Sequence, residues 1–300
     1  MNILTKKTND FYDNYPCPQL SDKRILSNSK TQNKLLLSMG IPEKLFSKSL
    51  KVLDAGCGTG SFALSFALAN QKSEITGFNI SQSSIDYAIN QEKSLNIKNV
   101  NFIKADIFNL PEEISSKKYD IVYCRGVLHH TFNPILGLEI LSKLVKPNCY
   151  MVIGLYHKGR YKVRVMRFIL RLLAGNNYEK CVKIARKLFP KHCHNHVTKG
   201  FENESLSREI EDVYLADKFA VPRESYHSFL CTNAYLRKLG FKILYKNVAK
   251  PEKRIRRERF IHKIVSLLPI PKSIKEDLAD DLIGLTVFKE MFLVVNKKIG

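Results

Sequence analysis

Three hundred residues, 44% hydrophobic and 26% charged, suit a folded chain of one large domain or a domain plus an elaboration, and exclude disordered, collagen-like and mini-protein classes. Lys and Arg number 49 against 28 Asp and Glu, and this net +21 predicts attraction to something anionic: nucleic acid, a phospholipid surface or an acidic substrate. The seven Cys are scattered with no C-x-x-C, and no leader-like or bilayer-length apolar stretch stands out; the expectation is a reduced, cytoplasmic protein that is neither secreted nor integral to a membrane.

In chain order, residues 1–46 read as an N-terminal cap, and from residue 51 short β-branched runs alternate with helical stretches. KVLDA (51–55) is the first predicted strand, and GCGTGSFALSFALAN a glycine turn opening a helix. EITGFN (74–79), NVNFIKA (99–105), KYDIVYC (118–124) and CYMVIGLY (149–156) are the next four strands, with helices after Ser81 and across 135–145. Strand and helix units in this rhythm predict an open parallel sheet covered on both faces. A basic helical stretch then interrupts it, so 157–225 reads as a lid or substrate insertion. A helix around 226–239 and strands at 241–247 and 291–298 complete the sheet, with a second basic insertion at 250–286.

Charge follows the same division. Residues 51–155 hold ten basic and nine acidic side chains, so nearly all of the excess lies outside them, as do thirteen of the 14 Arg. A lysine-rich compositional habit would not segregate arginine in this way.

The segment Asp54-Ala-Gly56-Cys57-Gly58-Thr-Gly60 joins a predicted strand to a predicted helix, where open α/β sheets bind their ligands. Glycine there permits positive φ and close backbone approach. Ser61 stands where a dinucleotide fingerprint has its third glycine, the P-loop pattern is absent, and Asp54 would repel a pyrophosphate but hold an ammonium. These features favour an adenosine ligand without phosphates. VLDAGCGTG resembles the first motif of class I S-adenosylmethionine-dependent methyltransferases. GFNIS (77–81), FIKADIF (102–108), YDIVYCRGVLHH (119–130) and LVKPNCYMVIGLY (144–156) resemble the family's following segments in order.

The resemblance implies an open, mostly parallel, seven-stranded Rossmann-like sheet with a closing antiparallel hairpin and a helical lid insertion. It also implies S-adenosyl-L-methionine as cofactor. The residues carried over to its site are Asp54, Gly56, Cys57 and Gly58, then Asn79 and Ile80, Asp106 and Ile107, and Cys124, Arg125 and Gly126. Asn79 departs from the family's usual acidic residue; as an amide it still bonds a ribose hydroxyl but loses the charge-assisted part.

Methyl transfer from a sulfonium is an in-line displacement in which the protein mainly positions the reactants and removes a proton when the acceptor needs it. His129 and His130, after the fourth strand, are candidate bases; the alternative is that one packs under its loop. That loop has no D/N-P-P-Y/F motif, which argues against an exocyclic base amine held in that way. In FYDNYPCPQL (11–20), Tyr15 is expected either to close over the methionine pocket or simply to pack on the sheet edge.

In the lid, Arg160, Arg164, Arg167 and Arg171 form one stripe and Val165, Phe168, Ile169 and Leu172 its neighbour, a basic amphipathic helix for a lipid headgroup surface or an anionic substrate, or simply a solvated face. Arg164, Arg167 and Arg171, with Tyr226 and His227, are the substrate-side expectations. The basic run Lys250–Arg259 repeats the mixture. His192, Cys193, His194 and His196 lack a second ligand cluster, so no metal site is expected. The leading expectation is a methyltransferase for a small or lipid-linked, anionic acceptor, with peripheral contact at the inner membrane surface. The alternatives are an RNA methyltransferase and a non-catalytic, cofactor-binding basic platform.

Overall fold

The computed structural model describes residues 2–198, 206–246, 261, 263–287 and 290–298. Seven strands form one sheet: β1 (Lys51–Ala55), β2 (Glu74–Asn79), β3 (Val100–Lys104), β4 (Tyr119–Arg125), β5 (Val145–Tyr156), β6 (Phe241–Lys246) and β7 (Glu290–Lys297), in the order β3-β2-β1-β4-β5-β7-β6. Strands β1 to β5 pair in parallel, and β7 runs antiparallel to both β5 and β6, closing the sheet with the expected hairpin. Sheet order reverses between β1 and β4, so the chain leaving those two strands splays apart and leaves a crevice at their C-terminal ends.

Side chains alternate across the sheet, as the pleat requires. Leu53, Ala55, Val122, Cys124, Met151 and Ile153 point into one core; Val52, Ile121, Tyr123 and Val152 point into the other. Helices cover both faces: α1 (Ile3–Asn14), α2 (Asp22–Ser38), α3 (Ser61–Ala69), α4 (Gln82–Ser94), α5 (Glu112–Ser115) and α6 (Pro134–Leu144) precede β5. The insertion after β5 is helical, with α7 (Tyr161–Ala174), α8 (Tyr178–Leu188), α9 (Pro190–Thr198) and α10 (Arg208–Phe219). Phe11 of α1 is buried with Met166, Leu170, Val182, Leu215 and Phe219, so the start of the chain and the insertion share a third apolar cluster.

Behind them, α11 (Phe229–Lys238) and α12 (Lys272–Val287) pack beside β6. The Asp281 carboxylate accepts from the N–H groups of Phe229 (2.6 Å) and Leu230 (3.0 Å), capping α11, and meets His157 Nε2 at 3.1 Å. Asp277, buried, is held by Arg237, Lys246 and Asn233. The basic run 250–259 lies outside the described residues.

Candidate active site

Between β1 and α3 the chain turns on Gly56 (φ +74°), Gly58 (φ +55°) and Gly60 (φ +82°). The Gly56 and Cys57 N–H groups donate to the Phe78 carbonyl at 2.8 and 2.9 Å, folding the turn over β2. Gly58 has a second reason to lack a side chain: a Cβ there would stand 2.5 Å from the Cys17 carbonyl oxygen. The Thr59 hydroxyl donates to the Pro18 carbonyl, so the segment after α1 is clamped onto the glycine turn. The space this excludes is taken by the chain's own backbone.

Asp54 lies beneath the turn, buried, with Oδ2 accepting from the Ala63 N–H at 3.2 Å. Burial pushes its carboxyl up to about 7, and the Ala63 bond opposes this only in part. At the end of β2, Asn79 Oδ1 accepts from the Ser81 N–H at 2.9 Å, which commits that oxygen and leaves the amide NH2 as the donor. Asp106 Oδ1 accepts from the Phe108 N–H at 3.0 Å. These groups, with Gly56, Cys57, Gly58, Ile80, Ile107, Phe108, Arg125, Gly126 and Val127, line one cavity of about 460 Å³.

The same cavity continues past β4 to Tyr12, His130, Tyr156, His196, Tyr214 and Asp217. Tyr12 donates its hydroxyl to Asp217 Oδ1 at 3.0 Å. His130 Nδ1 lies 2.8 Å from the Arg223 carbonyl. A carbonyl only accepts, so Nδ1 carries the proton and Nε2 keeps the lone pair. Burial pulls the imidazole down to about 4, against the opposing pull of that bond and Glu224, so it is neutral at physiological pH. The Tyr156 ring is stacked on His129 at 3.7 Å and carries the Arg160 guanidinium 3.5 Å from its centroid.

Eleven of the residues expected from sequence meet here: Asp54, Gly56, Cys57, Gly58, Asn79, Ile80, Asp106, Ile107, Arg125, Gly126 and His130. Others do not. Cys124 is fully buried in the core with Leu53 and Val122 and does not line the cavity, whereas its neighbour Tyr123 does. His129 is fully buried, neither ring nitrogen is hydrogen-bonded among the described residues, and burial holds it neutral. Tyr15 packs on Phe11 and Tyr178; Tyr12 reaches the cavity in its place.

The arginine stripe is the largest correction. Arg167 is buried, its Nε 2.9 Å from Glu224 Oε2 and its NH2 2.6 Å from the Val221 carbonyl. Arg160 meets Glu224 Oε1 at 3.2 Å, and Arg171 donates to the Pro222 carbonyl at 2.7 Å. Arg164 lies over the Tyr226 ring. The stripe therefore holds the segment 221–227 in place, and neither it nor Tyr226 or His227 lines the cavity. That segment straps the histidine turn: Ser225 N–H donates to the His129 carbonyl, and His227 N–H to the Tyr156 carbonyl. Among the described residues the cavity's charged lining is Asp54, Asp106, Asp217 and Arg125.

Sequence reasoning missed Tyr12, Tyr214 and Asp217. Thr5, Thr8 and Tyr12 follow i, i+3, i+7 spacing on α1, a signal that was present; Asp217 had none, since it meets the cavity only through the packing of α10. Among the described residues no group of three or more His, Cys, Asp or Glu gathers as a metal site, and no helix is long and apolar enough to cross a membrane.

A seven-stranded sheet in this order, with a glycine turn and an acidic residue at its switch point, defines a Rossmann-like nucleoside-binding enzyme. Residues 46–218, more than half of the chain, match the family model described as a methyltransferase domain, and the chain belongs to the class I S-adenosylmethionine-dependent methyltransferases. Over 183 residues it is 31% identical to an uncharacterised protein of Synechococcus, covering 58% of this chain and 43% of that one. It is 34% identical over 135 residues to a ubiquinone biosynthesis O-methyltransferase of Rickettsia akari, covering 43% and 51%. The matches thus span about half the length of these relatives. PKMT2 of Rickettsia typhi bound to AdoHcy shares the fold at TM-score 0.63 and 19% identity, over 91% of this chain and 54% of that one. The magnesium protoporphyrin IX methyltransferase of Synechocystis does so at 0.53 and 16%, over 98% and 100%.

Proposed function

We propose that this enzyme methylates a hydroxyl on a small or lipid-linked acceptor that enters between Tyr12, Tyr156 and Tyr214, with His130 as the base. The observation that carries the reading is the His130 tautomer: a neutral ring that lines the cavity, its Nδ1 proton committed to the Arg223 carbonyl. The O-methyltransferase relative supports oxygen as the acceptor atom. Bound S-adenosylmethionine supplies a methyl group already activated by the sulfonium charge.

Asp54 suits its amino group, because the buried carboxyl near 7 gains a counter-charge there. The Asn79 amide NH2 suits the ribose hydroxyls and Asp106 the adenine amine. Ile80, Ile107 and Val127 supply apolar walls. On the acceptor side, His130 Nε2 takes the hydroxyl proton as the oxygen bonds to carbon, so the positive charge lost at sulfur reappears on the imidazole. Tyr12, held by Asp217, presents its oxygen lone pairs to the acceptor. The seven free cysteines accord with a reducing, cytoplasmic setting.

The test is transfer of labelled methyl from S-adenosylmethionine into the organic-soluble, protein and RNA fractions of a cell extract. Label in a small organic-soluble product, lost in His130→Gln with S-adenosylhomocysteine binding retained, is expected. Label confined to RNA or protein overturns the acceptor class; equal turnover in His130→Gln overturns the base.

A further inference from the structure

Helix α7 has two apolar faces. Val163, Met166, Leu170 and Ala174 turn inward with the buried Arg167, and Met166, Leu170 and Ala174 pack against the helices of the insertion. On the opposite side Tyr161, Val165, Phe168 and Leu172 recur at i, i+4, i+7 and i+11 and are 51, 57, 63 and 71% exposed. A helix needs one apolar face to join a core, and a second, continuous ridge turned to solvent marks a contact surface.

The charges beside the ridge say what it meets. At 100° per residue, Lys162 falls on one flank and Arg164 and Arg171 on the other, all exposed. Between residues 158 and 191 the chain carries eleven Lys and Arg against Glu179; Arg160 and Arg167 are paired with Glu224, and Arg186 with Glu211 and Asp212, which leaves eight exposed cations. Lys180, Lys183 and Lys187, exposed on the neighbouring α8, belong to the same excess. A second copy of this chain is a poor occupant, since a two-fold contact through the ridge would set these cations against their own images. RNA would meet the charge but gain nothing from Val165 and Leu172. An apolar ridge flanked by cations is the pattern of a helix lying in the interface of an anionic bilayer.

We propose that α7 docks on an anionic lipid surface, with Phe168 and Leu172 entering the boundary between headgroups and acyl chains and Lys162 and Arg164 meeting lipid phosphates. Arg160, the N-cap of α7, covers the ring of Tyr156 in the cavity wall, so the docked helix starts beside the acceptor end of the site. The surface stands on exposure and charge, whatever the acceptor proves to be.

The experiment is flotation of the full chain with vesicles of phosphatidylcholine alone and of phosphatidylcholine with 30% phosphatidylglycerol. Tenfold or greater preference for the anionic vesicles is expected. F168Q/L172Q should weaken that binding at least tenfold and K162Q by a smaller factor, with S-adenosylhomocysteine affinity within two-fold of wild type in both. All of these side chains are exposed, and a cooperative thermal transition in each variant checks the fold. Three outcomes overturn the proposal: no preference for anionic vesicles, unchanged binding in F168Q/L172Q, or concentration-dependent self-association that F168Q/L172Q abolishes in a protein that ignores vesicles.

Discussion

Burial holds the Asp54 carboxyl near 7, with one backbone N–H opposing it, so in the ligand-free protein its charge comes and goes across neutral pH. An amino group bound beside it lowers that value. Ligand affinity then reaches its plateau above pH 7 and falls, up to tenfold per pH unit, as pH drops below 7 and the free protein takes up the proton. Calorimetry with S-adenosylhomocysteine in buffers of differing ionisation enthalpy should show proton release at pH 6 and none at pH 8. Asp54→Asn should weaken binding at least tenfold and flatten this profile. Because a raised carboxyl costs stability above its unfolded value, the same change should stabilise the ligand-free protein at pH 8 by roughly 1–3 kcal/mol, measured by urea unfolding. Asn79→Asp is expected to keep or modestly tighten affinity, since the new carboxylate can still accept from Ser81 while facing the ribose.

Among the elements, the glycine turn and the helix α7 respond to substitution for different reasons. Gly58→Ala would drive a Cβ into the Cys17 carbonyl at a positive φ, so it should weaken S-adenosylhomocysteine binding by displacing the segment after α1. Methyl-group crowding seen at Cys17 and Pro18 by NMR would report that route. Glu224→Gln leaves Arg160 and Arg167 buried without their counter-charge and should cost about 3–5 kcal/mol of stability in denaturant unfolding. The strands were legible because parallel strands buried on both faces read as continuous β-branched runs, and the cofactor half of the site because the glycine turn and Asp54 are contiguous in sequence. The orientation of α7 was not. Arginines at helical spacing read as a solvated stripe, and only the arrival of Glu224 and the carbonyls of 218–222, distant in sequence, turns Arg167 inward. Tyr12 and Tyr15 could not be told apart for a related reason: both sit at the end of α1, and tertiary packing alone gives one to the cavity and the other to Phe11.

At the scale of the molecule, His130 and His227 are held near 4 and His129 also well below its ordinary 6.5, all chiefly by burial. Between pH 6.5 and 4 the unfolded chain therefore binds protons that the native state refuses, and stability falls as pH drops through that window, by on the order of 1–3 kcal/mol per residue. Asp54 and Glu92, both raised by burial, work in the opposite sense as pH falls, two groups against three. The urea midpoint should fall from pH 6.5 to 4.5, and His227→Gln should flatten part of the slope while leaving cofactor binding unchanged. The cavity is lined from two stretches of the chain. Its nucleoside half comes from residues inside the shared 46–218 span, whereas Thr5, Thr8, Tyr12, Cys17 and Pro18 reach it from before that span. Tyr12 stands at the acceptor end while Cys17 and Pro18 are clamped to the glycine turn, so the leading segment touches both ends of the cavity, and a chimaera carrying another relative's leading helix on this sheet should shift acceptor use and nucleoside affinity together.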